Sequence, residues 1–409
     1  MGVQRRNYLL FFLDTVIFTP AMAFLSVNAF ISYYLTDLGA STFEVALPAA
    51  LGNLCCFVCQ PLFVRMSLKR PMKARFFAGI LALQRVMLAA FILSMPLFSA
   101  SPMLMRVLFL VFWGLFSCFI GGYSPFFYGL LPKLVRKEHQ GRLVGIGGVV
   151  GNLMALGASA LGGYLIAQLA FPYNYMAVFG AGCGLLLLDA GLFLLIREHP
   201  QTSDAQVNGY LDYLRQIPKV IGHSPAIRHI VSGNVLSLLA TLPLSFYTLY
   251  AVRAFQAQAA QVALLSGLAV AAALVANLAA GFVADHAGHH RVMQLNTGCS
   301  LLAGLLILLL PSLPSLYVAW TLTNFSLASH NLSSIMQVSQ HAPAGQEPLF
   351  VSVNNMAMLI VSFLGAMACS QLIDILGFQA LFIFATLAAA GALCIFLRLG
   401  RIYRQTEEA

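Results

Sequence analysis

The chain has 409 residues, of which 60% are hydrophobic and only 9% charged, with a mean hydropathy of +0.85. A soluble domain carries about a quarter charged residues to solvate its surface, so this composition excludes a soluble enzyme and calls for lipid as the solvent. The formal charge of +9 lies in short basic clusters between long apolar runs, a pattern of membrane loops rather than of a nucleic-acid surface.

A membrane-spanning helix needs about 20 mostly apolar residues. Such runs predict about twelve spans. In chain order they are 8–34, 45–65, 76–98, 104–130, 143–169 and 175–196, then 229–251, 262–284, 292–311, 316–338, 350–371 and 378–397. The first follows basic residues in MGVQRRNYLLFFLDTV. It is too long for a signal peptide and has no small-residue cleavage site nearby, so it is read as a retained span.

The connections alternate in character. Those after spans two, four, six and eight are basic or polar, and most of the 22 Lys and Arg residues lie on that side together with Arg5, Arg6 and the C-terminal Arg398, Arg401 and Arg404. The bias places both termini in the cytoplasm and agrees with an even number of spans. The longest connection divides the chain into a six-helix bundle at 1–198, a linker at 199–227 and a second six-helix bundle at 228–409. The amphipathic stretch Tyr210-Leu211-Asp212-Tyr213-Leu214-Arg215 predicts a helix lying on the cytoplasmic surface.

The strongest motif is Gly281-Phe-Val-Ala-Asp285-His-Ala-Gly288-His-His290-Arg291, between spans eight and nine. The equivalent stretch between spans two and three, Phe63-Val-Arg65-Met-Ser-Leu-Lys69-Arg70-Pro-Met-Lys73-Ala-Arg75, keeps the bases but lacks the Gly and Asp. Between spans four and five stands Pro132-Lys-Leu-Val-Arg136-Lys-Glu138-His-Gln-Gly141-Arg142. Six plus six spans, a central cytoplasmic linker and these loops together resemble the major facilitator superfamily of secondary transporters. The first loop is similar to its cytoplasmic motif G-x-x-x-D-[RK]-x-G-x-[RK]-[RK].

That resemblance implies an all-α membrane protein of two six-helix bundles. It implies a cytoplasmic gate formed by Gly281, Asp285, Gly288 and Arg291, joined by Gly141 and Arg142. Gly281 would allow close helix approach, and Asp285 would accept from backbone N–H groups at a helix N-terminus. Span five holds Gly145, Gly147, Gly148, Gly151, Gly157, Gly162 and Gly163, a density that permits close packing.

Charges inside spans are costly and point to function. Asp14 in span one, Arg85 in span three and Asp189 in span six are therefore the candidate coupling residues. The family fold implies that spans 1, 4, 7 and 10 line a central cavity, which favours Asp14. A fixed salt bridge to a cytoplasmic base remains the other reading of Asp14, and structural pairing that of Arg85 and Asp189. Helical phase predicts polar stripes in those four spans. The candidate cavity residues are Asn28, Ser124, Tyr128, Asn234, Thr241, Trp320, Asn324, His330 and Asn331, with Asn355 added from span eleven. Interhelical hydrogen bonding is the competing reading of each stripe. Pro20, Pro125 and Pro243 fall inside spans one, four and seven, where they permit bending.

The eight cysteines all lie in apolar runs. Cys55-Cys56-x-x-Cys59 is read as packing rather than as a metal site. No phosphate-binding loop is present, so ATP does not drive the protein directly. No nucleophile–base set or paired carboxylates at useful spacing suggest an enzyme, and no cofactor or metal is expected. The function expected is a monomeric, multi-pass secondary transporter of the cell membrane, proton-coupled and working by alternating access on a small-molecule substrate, without a nucleic-acid partner. An efflux carrier for amphipathic compounds, or a carrier-like sensor or lipid-handling protein, is the alternative.

Overall fold

The structure, a computed structural model, describes residues 3–68, 73–121, 130, 134–135, 137–198, 225–341 and 347–407. The described residues are helical nearly throughout. The helices are α1 (Val3–Phe24), α2 (Ser32–Asp37), α3 (Thr42–Leu68), α4 (Lys73–Phe98), α5 (Pro102–Ile120), α6 (Lys137–Gln168) and α7 (Tyr173–Leu194). They continue as α8 (Pro225–Thr241), α9 (Tyr247–Phe255), α10 (Ala259–Ala287), α11 (His289–Leu309), α12 (Leu313–His341), α13 (Glu347–Leu376) and α14 (Phe378–Glu407). The expected surface helix around Tyr210 lies outside the described residues, as do Ser124, Pro125 and Tyr128.

Eleven segments among the described residues are long and apolar enough to cross a membrane, so the chain is a multi-pass membrane protein. The run expected as span ten forms the 29-residue helix α12. It is long enough, but its Asn, Ser, His and Gln residues keep it out of the apolar set.

Two expected spans are interrupted. Span one ends its α-helix at Phe24, four residues after Pro20. Ser26 is extended, and a π-turn at Val27–Ile31 leads into α2. Ile31 N donates to Ser26 O at 3.0 Å, which closes that wider turn. Span seven breaks at Pro243, which lies in a 3₁₀ turn at Leu242–Ser245 between α8 and α9. Proline removes an intrahelical donor and clashes with the preceding turn, which accounts for the break at Pro243, where the α-helix ends just before the proline; α1 runs on past Pro20 before it ends. The two breaks correct the phase argument. Asp14 and Asn28 do not share one continuous helix, and Thr241 and Thr248 are separated by a turn of different pitch.

By their contacts the residues form two compact units. One comprises Met1–Val207 with Ala257–Val270, the other Asn208–Gln256 with Ala271–Ala409. In the first unit α1 packs on α6 and α7, α4 on α5 and α7, and α3 on α5. Phe11, Phe77, Leu81, Leu143 and Phe193 centre its core, with Phe77 and Phe193 edge to face at 4.9 Å. In the second, α11 packs on α12 and α14, and α8 on α12, α13 and α14. Met293, Val353, Ala392 and Phe396 lie in its core. Large apolar side chains also point outward, as at Leu97, Leu309 and Ile375. That is the arrangement for a protein solvated by lipid, where outward apolar surface carries no penalty.

The close approach expected from the glycines of span five is found between α6 and α1. A Cβ on Gly151 would stand 2.9 Å from Thr15 O, a backbone atom that cannot rotate away. The Thr19 side chain stands as near, its Oγ1 also at 2.9 Å, so the helices approach this closely because Gly151 brings no side chain of its own.

Candidate functional site

The three intramembrane charges come together inside the first unit. Asp14, Arg85 and Asp189 are all buried, each exposing 1% or less of its surface. They arrive from α1, α4 and α7, helices that pack on one another in the pairs α1 with α7 and α4 with α7. Arg85 Nη2 lies 3.1 Å from Asp189 Oδ2. Arg85 Nε donates to Leu186 O at 3.2 Å and Nη1 to Leu81 O at 3.4 Å. Nη1 also donates to the Gln84 side chain, which itself donates to Phe116 O at 2.7 Å. The guanidinium is thus held by three helices.

The side chain of Asp14 lies within interaction range of that of Asp189. Asp189 Oδ1 is buried without a hydrogen-bond partner among the described residues.

The end of this unit that carries the N-terminus is tied down by polar contacts. Arg6 donates to Leu195 O, and Asn7 Nδ2 to Arg197 O at 2.9 Å. Glu198 accepts from Ala74 N at 2.8 Å, a carboxylate at the N-terminus of α4 where the helix dipole favours it. The acid that the loop before span three lacks is thus supplied by the end of span six. Sequence reasoning missed Glu198 because its partner is 124 residues away.

The second unit has a polar interior. Asn234 Nδ2 donates to Asn354 Oδ1 at 3.3 Å, and Ser300 donates to Ser326 at 2.7 Å. Ser329 and Asn296 are also bonded. His330 is buried with neither ring nitrogen bonded, and Ser237 Oγ, Ser333 Oγ, Gln337 Oε1, Asn234 Oδ1 and Asn354 Nδ2 also lack partners among the described residues. Each buried polar group left this way costs about 1–3 kcal/mol. These groups lie on α8, α12 and α13, which pack together.

The remaining expected cavity residues are dispersed. Thr241 is buried and donates to Leu238 O at 2.7 Å, so its hydroxyl is taken up by its own helix. Trp320 is buried and edge to face with Tyr247 at 6.0 Å. Asn324 is half-buried and donates to Trp320 O at 2.9 Å. Asn28 lies half-buried in the π-turn, and Asn331 and Asn355 are exposed.

Of the expected gate, Gly288 takes φ +80° between α10 and α11. That conformation favours glycine and explains its place in the motif. Arg291 Nη1 donates to Gln294 Oε1 at 2.9 Å. A Cβ on Gly281 would meet nothing within 4 Å among the described residues, so the close approach expected there is not found. Gly141 and Arg142 lie in α6 and Asp285 in α10, but the side chains of Arg142 and Asp285 fall outside the described set. Among the described residues no group of three His, Cys, Asp or Glu side chains is arranged to hold a metal ion.

One cavity of about 330 Å³ opens at the end of the first unit remote from the N-terminus, lined by Tyr33, Asp37, Asn174, Tyr175 and Gln258 with apolar walls. None of these residues was expected from the sequence. They sit at helix ends, where polar residues are ordinarily interfacial and carry no signal.

Residues 230–408 match the sequence model of the Major Facilitator Superfamily. Solved structures resemble the whole chain. A bacterial homologue of the human lysosomal transporter Spinster, inward-facing and unoccupied, aligns at 12% identity over 98% of this chain and 96% of that one, with a TM-score of 0.67. The nucleoside transporter NupG aligns at 11% identity over 98% and 99%, with a TM-score of 0.68. A bacterial homologue of the iron transporter ferroportin, inward-facing, aligns at 15% identity over 98% and 100%, with a TM-score of 0.70. No curated protein matches in sequence. The C-terminal half of the chain is thus similar to the Major Facilitator Superfamily, and the whole chain shares the fold of these solved transporters.

Proposed function

We propose that the protein is a secondary active transporter that moves a small solute by alternating access, driven by a proton taken up at the Asp14–Asp189 pair beside Arg85. The observation that carries the coupling is the burial of two carboxyl groups near one arginine inside the first unit. Taking up a proton turns a carboxylate of this cluster into a neutral acid. In a membrane interior the neutral form is far cheaper to move or rearrange. Joining α1, α4 and α7, the cluster links protonation to the packing of three helices.

The polar interior of the second unit supports a solute that hydrogen-bonds, with His330, Asn234 and Asn354 as its candidate partners. The transporters that share the fold are consistent with alternating access. The architecture proposed is twelve spans in two bundles of 1–198 and 228–409, with both termini in the cytoplasm, working as a monomer in the cell membrane. Asp285, Gly288 and Arg291 form its cytoplasmic gate.

Solid-supported-membrane electrophysiology on proteoliposomes tests the reading, using sugars, organic acids, amino acids, nucleosides and organic cations at two pH values. We expect a solute-evoked current that grows as the pH on the uptake side falls. Asp14→Asn and Asp189→Asn should each abolish its pH dependence while the protein stays folded by thermal melt. A pH-dependent current that survives in both variants would remove the coupling assignment.

A further inference from the structure

The cavity at the remote end of the first unit has a composition that the transport reading does not use. Its volume is about 330 Å³, room for about eleven non-hydrogen atoms at the roughly 30 Å³ that a water occupies in the liquid. That is too large for a bare metal ion and suits a small organic molecule.

Its one charged wall residue is Asp37, and no Lys or Arg lines it. The carboxylate is held in place: Tyr175 Oη donates to Asp37 Oδ2 at 3.0 Å. The base Arg106, at the same end of the unit, is occupied elsewhere, 3.4 Å from Glu44 and donating to Gly39 O at 2.5 Å. Two rings stand beside the carboxylate. Tyr33 and Tyr175 have centroids 6.5 Å apart, inclined at 47°. Tyr175 is fully buried, wedged against Tyr34 at 4.9 Å and Phe179 at 6.1 Å, so its ring is rigid. Asn174 is 93% buried by its exposure of 7%. Its Oδ1 accepts from Tyr175 N at 2.8 Å, which leaves its amide nitrogen as the polar group on that wall. The remaining wall is apolar, formed by Ile166, Ala167, Ala259 and Ala260.

We infer that this cavity binds a small organic cation, with its ammonium group between Asp37, which Tyr175 holds in place, and the ring of Tyr33, and its apolar body against the Ile166 and alanine wall. A carboxylate attracts the charge, and aromatic faces add to that attraction in a way a neutral isostere cannot share. A pre-oriented carboxylate and a rigid ring reduce the ordering cost of binding. An anionic ligand is disfavoured because no cation lines the wall. The site is separate from the Asp14 cluster, which belongs to the interior of the bundle, and its occupancy is measured without transport.

The test is isothermal titration calorimetry and thermal melting on the full chain in nanodiscs at constant ionic strength. The probes are phenethylamine, its neutral counterpart 2-phenylethanol and its anionic counterpart phenylacetate. Phenethylamine should bind at one site and raise the melting temperature, with the alcohol and the acid at least about tenfold weaker. Asp37→Asn should weaken phenethylamine by about tenfold or more. Ala260→Trp keeps the carboxylate but fills the cavity, and should abolish binding. Unliganded melting curves of both variants separate loss of binding from loss of fold, and Ala260→Trp carries the test with the neutral and anionic probes if Asp37→Asn is unstable. Equal binding of the alcohol, or undiminished binding by Ala260→Trp, would overturn the inference. So would full competition by sodium at the same concentration, which would mark a simple ion site.

Discussion

Arg85 illustrates how differently a buried charge behaves when it is broken and when it is replaced. It is held by Asp189, Gln84 and two carbonyl groups. Removing it alone leaves Asp189 buried without the cation it pairs with, which for a buried pair costs about 3–5 kcal/mol. Arg85→Leu is therefore expected to lower the melting temperature sharply in detergent. The double variant Arg85→Leu/Asp189→Leu removes both ions and should recover most of that loss, since an apolar pair of similar size is often neutral or stabilising. If the double variant is no more stable than the single one, the cluster is not the electrostatic unit described here. The recovered protein should still lack pH-dependent transport, which separates the structural role of these residues from coupling. At this scale much was legible in the sequence: a charge in an apolar run stands out, and Asp14, Arg85 and Asp189 were singled out on that ground. Their meeting was not, because they are separated by 71 and 104 positions and only packing brings α1, α4 and α7 together.

Helix contacts and breaks belong to the next scale. The α1–α6 contact depends on Gly151, where a Cβ would sit 2.9 Å from Thr15 O. Gly151→Ala should push the helices apart and cost about 1–3 kcal/mol by overpacking, read as a lower melting temperature. Thr15 neighbours Asp14, so the same variant should also weaken the pH dependence of transport. A melting temperature equal to the parent's would show that the close approach is not there. The prolines in spans one and seven were visible in the sequence, and so was their power to disturb a helix. What they do to phase was not, because the π-turn after Pro20 and the 3₁₀ turn at Pro243 change the residues per turn. A stripe drawn at 100° per residue carries across neither break.

For the whole molecule, the distribution of basic residues gives a topological prediction. A fluorescent reporter fused after Ala409 should fold and fluoresce, and alkaline phosphatase fused there should be inactive. The reverse pattern is expected for fusions in the connection at 253–258. An active phosphatase at the C-terminus would contradict its placement in the cytoplasm. Eleven segments meet the apolar criterion among the described residues, and α12 is the helix on which the even count depends. Its polar residues are those that make the interior of the second unit hydrogen-bonding, so the same composition that suits a solute weakens its signal as a span.

The sequence by itself determined the lipid solvent, the helical class and the apolar runs that form the long helices. These follow from composition and local periodicity, which act within one helix length. Tertiary structure alone decided that an acid of α1 meets an acid of α7, that Glu198 caps α4, and that Asp37, Tyr33 and Tyr175 enclose a cavity. Each joins residues distant in the chain, and their proximity is set by how helices pack rather than by any feature of the segments that carry them.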